Sequence, residues 1–340
     1  MTATGAIGTG AAIFGCLGPR LSPVEAAFFR EADPFGFILF ARNVDSPDQM
    51  RRLTGDLRAA VGRDAPILID QEGGRVQRLR SPHWREWAPP LDTVRAAGPH
   101  AAAVMRLRMR LVAQELRALG IDANCAPLGD IAGPATHPFL RNRCYGETAV
   151  AVAEVARAVA DGLMAGGVLP VMKHLPGHGR ATIDAHNALP TVTADRETLV
   201  AEDFAPFRTL ADLPMAMTGH LVFTAYDPHH PATQSPAMIR VIREVIGFQG
   251  LLMTDDLNMQ ALSGTLAERT AAAMAAGCDV ALHCNGEMAG MTAVATAAGR
   301  LTDPARARAA AAVACRPLPD GLDSHSLEAE LFNLETSASG

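Results

Sequence analysis

Lysine is almost missing from this chain. Of its 30 basic residues one is lysine and the other 29 are arginine, a skew expected of biased codon usage. Aromatic residues make up only 5%, so the core has to be built from Ala, Val, Leu, Ile and Met. No apolar run approaches the roughly 20 residues of a membrane-spanning helix. No basic block stands out and the formal net charge is −6. That argues against a nucleic-acid partner and leaves a small molecule as the default ligand. The six cysteines, Cys16, Cys125, Cys144, Cys278, Cys284 and Cys315, show no paired metal-binding spacing. Buried free thiols in a reducing cytoplasm are the simple reading. No positive charge precedes Arg20, so the small apolar residues Gly5 to Gly18 lack the basic segment that opens a signal peptide. Ile13-Phe14-Gly15-Cys16 has the outline of a lipoprotein cleavage box without its charge. The expectation is a soluble cytoplasmic monomer without membrane or nucleic-acid partners.

What the chain does have is hydrophobic content, 49%, and many turn formers, 30 Gly and 23 Pro. Short apolar runs recur at Ala11 to Leu17, Phe35 to Phe40, Pro66 to Asp70, Asp122 to Leu128, Val168 to Lys173, Pro214 to Thr218, Leu251 to Thr254 and Asp279 to His283. Helical stretches separate them: Ser22 to Glu31, Ser46 to Val61, His100 to Leu119, Ala149 to Ala165, Leu199 to Leu210, Met238 to Ile246, Thr265 to Ala276 and Gly286 to Leu301. The first two open with Ser-Pro, a cap followed by a favoured first-turn residue. Strands alternating with helices imply parallel strands joined by crossover helices, and near-continuous apolar strands suit a sheet buried on both faces. Eight such units fit a single (β/α)8 barrel over residues 1–315. A doubly wound open sheet is the alternative, but Gly8-Thr9-Gly10 precedes the first strand rather than following it. Residues 316–340 read as a polar tail with Leu/Phe patches at Leu327 to Leu334: a docking helix, then a frayed end from Ser337.

In such a barrel the chemistry sits where strands end, and polar residues do follow these runs. The third ends in Asp70 and leads into Gln71-Glu72-Gly73-Gly74-Arg75. The fifth ends in Lys173-His174, the sixth in Thr218-Gly219-His220, the seventh in Thr254-Asp255-Asp256, and the eighth in His283-Cys284-Asn285. One lysine has to fall somewhere; this one falls in Lys-His-Leu-Pro-Gly-His-Gly, directly after an apolar strand, where a compact ammonium does what a planar guanidinium cannot. The segment Lys173 to His186 holds two Gly, one Pro and three His and reads as a mobile loop. Asp184 stands two residues before His186, close enough to fix its tautomer and raise its basicity; alone, His186 reads as a solvated loop histidine. Asp255 and Asp256 offer a carboxylate nucleophile or a metal ligand, or a helix cap. Arg143 can fork onto hydroxyls or an acyl oxygen, and in so Arg-rich a chain it reads equally well as a surface residue.

Three chemistries suit these residues: glycoside hydrolysis by a carboxylate with a separate proton donor, metal-dependent hydrolysis with His174, His178, His186 and Asp255 as ligands, and Schiff-base chemistry through Lys173. The absence of an H-x-H pair after the first strand counts against a metal. A loop rich in hydroxyl-handling groups rather than an apolar pocket counts against the Schiff base.

The pattern K-H-L-P-G-H-G-x-x-x-x-D-x-H, with D-Q-E-G-G-R-V-Q-R (Asp70 to Arg78), L-F-A-R-N (Leu39 to Asn43) and T-D-D-L-N-M (Thr254 to Met259), closely resembles the family 3 glycoside hydrolases. Within them it is similar to the bacterial β-N-acetylhexosaminidases that recycle cell-wall muropeptides, over about Gly36 to Asn285. The resemblance implies a (β/α)8 barrel and a retaining two-step mechanism with no metal and no cofactor. It implies that Asp255 is the nucleophile, His186 the acid/base and Asp184 its partner, and that Asp70, Arg78, Arg143, Lys173 and His174 grip N-acetylglucosamine. Two departures stand out: Leu175 replaces a common Phe or Ile, and Arg180-Ala181 replaces a frequent Asp-Thr.

Overall fold

The computed structural model describes residues 7–185 and 187–337. Eight parallel strands close into a barrel in chain order: β1 (Gly10–Gly15), β2 (Pro34–Leu39), β3 (Ile67–Ile69), β4 (Ala123–Asn124), β5 (Leu169–Leu175), β6 (Met215–Thr218), β7 (Leu251–Asp256) and β8 (Val280–His283). Ile13 of β1 stands opposite Gly36 on one side and Leu282 on the other, which completes the circle. Every apolar run became a strand. The weakest of them, around Asp122, kept only two residues as strand, and these are locked by side-chain bonds instead. Asn124 donates to the carbonyl of Gln71 at 3.0 Å and accepts its backbone N–H at 2.9 Å.

The strands look uniformly apolar because each serves two cores. Ala11 and Ile13 of β1, and Leu251 and Met253 of β7, point into the barrel, while Ala12, Phe14 and Leu252 face the surrounding helices. The alternation of side-chain direction along a strand puts both sets in apolar surroundings. Helix Pro23–Ala32 carries a capping box in which Ser22 and Glu25 bond each other's backbone, and helix Leu266–Ala276 repeats it with Thr265 and Glu268.

Several helices depart from the sequence expectation. The stretches expected at Leu199 to Leu210 and Met238 to Ile246 each divide into an α segment and a wider π segment. Helix Pro90–Ala97 and helix Asp303–Ala314 were not anticipated. The latter runs under the barrel, where Leu301, Ala305, Ala309 and Ala312 join the interior cluster and close its floor. Its Ala and Arg residues give no hydrophobic stripe, so no period marks it in the sequence. Beside that floor, carboxylates tie strand starts to helices. Asp122 accepts the backbone N–H of Ile67 at 3.1 Å and faces Arg58, Arg117 and Arg316. Asp279 accepts the N–H of Leu252 at 2.9 Å and faces Arg243 and Arg308. In the tail, helix Ser324–Ser337 buries Leu327 and Leu331 against helices Pro90–Ala97 and Ala101–Ala118. The end expected to fray runs past the described residues. Among the described residues no helix is long and apolar enough to cross a membrane.

Candidate active site

Beyond β3 the chain turns back on itself in a short antiparallel hairpin, Gln71–Gly73 with Val76–Gln77. Gly73 and Gly74 make the turn with φ of 108° and 58°, a region open to glycine but strained for other residues. A Cβ on Gly73 would also strike the Arg108 guanidinium. Arg108, buried in helix Ala101–Ala118, donates to the backbone carbonyl of Glu72 at 2.7 Å. Gln71 Oε1 accepts the N–H groups of Arg78 and Leu79. The hairpin therefore presents Asp70, Glu72 and Arg78 at fixed positions at the barrel mouth.

These side chains join a continuous row of alternating charge. Arg78 donates to Asp70 at 3.0 Å, Lys173 Nζ donates to Asp70 at 2.8 Å and forms an ion pair with Glu72 at 2.7 Å, and Arg143 donates to both oxygens of Glu72 at 2.8 and 2.9 Å. Three cations face two carboxylates. Burial opposes ionisation of Glu72, but the Arg143 and Lys173 charges outweigh it and hold its carboxyl at about 2. Burial likewise opposes charge on Asp70, and Lys173 with Arg78 overrides it and pushes that carboxyl below the usual range. The same pairing overcomes burial at Lys173 and keeps its ammonium charged well above the ordinary lysine value.

At the end of β7 the two adjacent aspartates separate in role. Asp256 Oδ1 accepts N–H groups from the backbone and side chain of Asn258 and from the backbone of Cys284, each at 3.2 Å. Among the described residues Asp255 accepts only the backbone N–H of Asp256, at 2.7 Å, through Oδ1. Asp255 lines the cavity at the barrel mouth. Burial would raise the Asp255 carboxyl, yet His220 and His174 beside it hold it below the ordinary value. His220 Nε2 donates to the Asp256 carbonyl at 3.1 Å, so Nδ1 accepts from Thr233 Oγ1 at 2.8 Å. Burial lowers the pKa of this ring, and the Asp255 carboxylate opposes that shift.

His174 is oriented by a residue absent from the sequence-based set. Asp130 takes the His174 Nδ1 proton at 2.7 Å and the His178 backbone N–H at 2.6 Å, which leaves His174 Nε2 for the cavity. Asp130 follows the fourth apolar run by two residues, so the rule that polar residues follow strand ends would have found it. Glu72 was passed over as part of a glycine-rich turn.

Asp70, Arg78, Arg143, Lys173, His174 and Asp255 all border one cavity of about 140 Å³, walled also by Phe40 and Phe139. A smaller compartment of about 20 Å³ shares Arg143, His174, Phe139 and Asp255 with it and adds Asp184. His186 lies outside the described residues. Around its position the carbonyl of Asp184 accepts the N–H groups of Asn187 and Ala188 at 2.9 and 3.1 Å. The loop is fastened at both shoulders: Arg180 donates to Asp203 at 2.7 Å and pairs with Glu202, and Ala185 and Leu189 pack on Met259 and Ala261. A larger groove of about 410 Å³ lies beside helices Pro23–Ala32 and Met288–Ala298, and Glu31 and Arg300 are its only ionisable lining side chains. Among the described residues no three His, Cys, Asp or Glu side chains form a metal-ligating group.

With Asp255 at the floor of the cavity and a row of paired charges along its wall, the arrangement offers a carboxylate to an electrophilic carbon and charged groups to sugar hydroxyls. Comparison with known proteins agrees. Residues 25–314 match the glycosyl hydrolase family 3 N-terminal domain. A β-hexosaminidase from Methylococcus capsulatus is 36% identical over 310 residues, 89% of this chain and 91% of that one. The crystal structure of native NagZ from Neisseria gonorrhoeae superposes with a TM-score of 0.81 at 27% identity, covering 98% of this chain and 97% of that one. A family 3 β-N-acetylglucosaminidase from Paenibacillus sp. superposes with a TM-score of 0.82 at 30% identity; the match covers 97% of this chain, which spans 66% of that longer protein. A barrel that carries this charge row at its mouth, matched over nearly its whole length, makes the chain a glycoside hydrolase that belongs to family 3.

Proposed function

We propose that the chain is an exo-acting β-N-acetylglucosaminidase that removes terminal non-reducing N-acetylglucosamine with retention of configuration. The observation that carries this is the Asp255 carboxylate, whose Oδ2 has no hydrogen-bond partner among the described residues, at a cavity whose wall is the row Arg78, Asp70, Lys173 and Arg143. In the first step that oxygen bonds to the anomeric carbon while the glycosidic bond breaks, and His186 gives the leaving oxygen its proton. In the second, the now neutral imidazole takes a proton from water, whose oxygen bonds to the anomeric carbon and releases Asp255. Asp184 orients His186 through both steps. A retaining enzyme needs nucleophile and acid/base roughly 5 Å apart. A carboxylate donor at that range would repel the nucleophile, and an imidazole does not. Asp70 accepts from sugar hydroxyls while Lys173, Arg143, Arg78 and His174 donate to others.

The substrate reading is an anhydro-muropeptide cut in cell-wall recycling by a cytoplasmic monomer. It is supported by the Lys173-to-His186 motif, by relatives named β-hexosaminidase and β-N-acetylglucosaminidase, and by six free cysteines, five of them buried. The test is turnover of p-nitrophenyl N-acetyl-β-D-glucosaminide against the matching β-glucoside, with EDTA present. Strong preference for the N-acetyl sugar, unaffected by EDTA, is expected. Activity confined to the glucoside would overturn the substrate and keep the family.

A further inference from the structure

We propose that Glu72, which does not line the cavity, is a positioning residue that holds Lys173 and Arg143 in place for the sugar. Its side chain is fully buried. Oε1 takes Lys173 Nζ at 2.7 Å and Arg143 Nη2 at 2.8 Å, and Oε2 takes Arg143 Nε at 2.9 Å. An ammonium has three donors. Asp70 accepts one of them and the Glu72 carboxylate holds the ammonium by charge at 2.7 Å, at the edge of the cavity that Lys173 lines. Of the five donors on Arg143, Glu72 takes one edge, which turns the remaining N–H groups toward the same cavity. Among the described residues Arg143 has no other side-chain acceptor. Glu72 thus selects which protons the substrate meets.

The brace is itself anchored. The Glu72 carbonyl accepts from Arg108, which also donates to Thr93 Oγ1 at 2.9 Å. The positions of two sugar-binding cations are therefore set from the helical layer through a two-residue link. Without the carboxylate, Lys173 keeps a single acceptor and can swivel, Arg143 keeps none, and the two like charges repel across the gap. A purely structural ion pair would affect folding alone, since removing one partner of a buried pair leaves the other uncompensated.

This inference rests on the proposed sugar-binding role of Lys173 and Arg143. Its test compares kcat, KM and unfolding midpoint for Glu72→Gln, Glu72→Asp, Arg143→Met and the double variant Glu72→Gln/Arg143→Met. Displacement of a binding group by about 1 Å costs about 100-fold, so Glu72→Gln is expected to lower kcat/KM by about that factor, with KM raised. The shorter Glu72→Asp should recover about tenfold of the loss. If Glu72→Gln does not fold, the double variant carries the test, because it removes one cation with one anion. It is expected to fall about tenfold below Arg143→Met, since Lys173 is no longer held. A folded Glu72→Gln enzyme with wild-type kcat/KM, or a double variant equal to Arg143→Met, overturns the proposal. Calorimetric affinity for free N-acetylglucosamine should follow the same order and needs no turnover. It separates failure of the brace from failure of the catalytic reading.

Discussion

Asp255 and Asp256 are consecutive in the chain, and the backbone N–H of Asp256 donates to the Asp255 carboxylate at 2.7 Å. The second aspartate fixes the loop, and by its amide it also fixes the first. Asp255→Ala should therefore lower kcat by about 1,000-fold or more while leaving the unfolding midpoint nearly unchanged. Asp256→Ala should cost about 1–3 kcal/mol of stability, because Asn258 and Cys284 lose a buried acceptor. Steady-state kinetics paired with thermal melts distinguish the two. A turnover near wild type in Asp255→Ala would remove it as nucleophile.

His186→Ala should divide substrates by leaving group. General acid catalysis is worth about 100- to 10,000-fold where the leaving oxygen needs a proton. Disaccharide cleavage should fall by that order, and dinitrophenyl glycosides should barely slow in their first step. Equal losses on both would mean that His186 is not the proton donor.

The Glu72 carboxyl predicts an acid limb of stability with a definite sign. It is held at about 2 in the folded chain against an ordinary 4.5. Between those pH values the unfolded chain binds a proton that the folded chain refuses, so stability falls as pH falls through that window. Asp70 is displaced in the same direction. Wild type should exceed Glu72→Gln in unfolding midpoint at neutral pH, and the gap should shrink from pH 4.5 toward 2. A gap that stays constant over that range would contradict the assignment.

Arg180 fastens the loop that carries Asp184, through Asp203 and Glu202. Arg180 is partly exposed and Glu202 exposed, but Asp203 is buried, and loss of its donor should cost about 1–3 kcal/mol. Arg180→Ala should lower the unfolding midpoint and change kcat and KM together, as loop variants do. Unchanged kinetics would show that the loop needs no anchor at that shoulder.

Asp122 offers the converse case on the opposite face. Asp122→Ala leaves Arg58 and Arg316 with Asp64 alone as a carboxylate partner, takes the acceptor from Arg117 and from the N–H of Ile67, and should cost about 1–3 kcal/mol. Turnover per folded molecule should stay unchanged, since this face of a barrel serves stability. A lower kcat in the folded variant would break that division.

Much of this was legible in the sequence because barrel strands and barrel function leave local marks. Eight apolar runs announce the strands, and Asp70, Lys173 and Asp255 announce the mouth by standing where the runs end. Other features have no local mark. The choice between Asp255 and Asp256 depends on Cys284 and Asn258, brought near by folding. Glu72 lies in a glycine-rich turn and acquires meaning only when Lys173 and Arg143 arrive from other segments. Helix Asp303–Ala314, apolar on no particular side, shows nothing of its place under the barrel.

That last helix has a consequence for traffic. With alanines stopping the lower end of the barrel, the upper opening serves as both entrance and exit, and Asp184 borders the compartment there. The departing aglycone must clear the route by which the hydrolytic water then comes in. One opening thus serves both half-reactions of the proposed cycle.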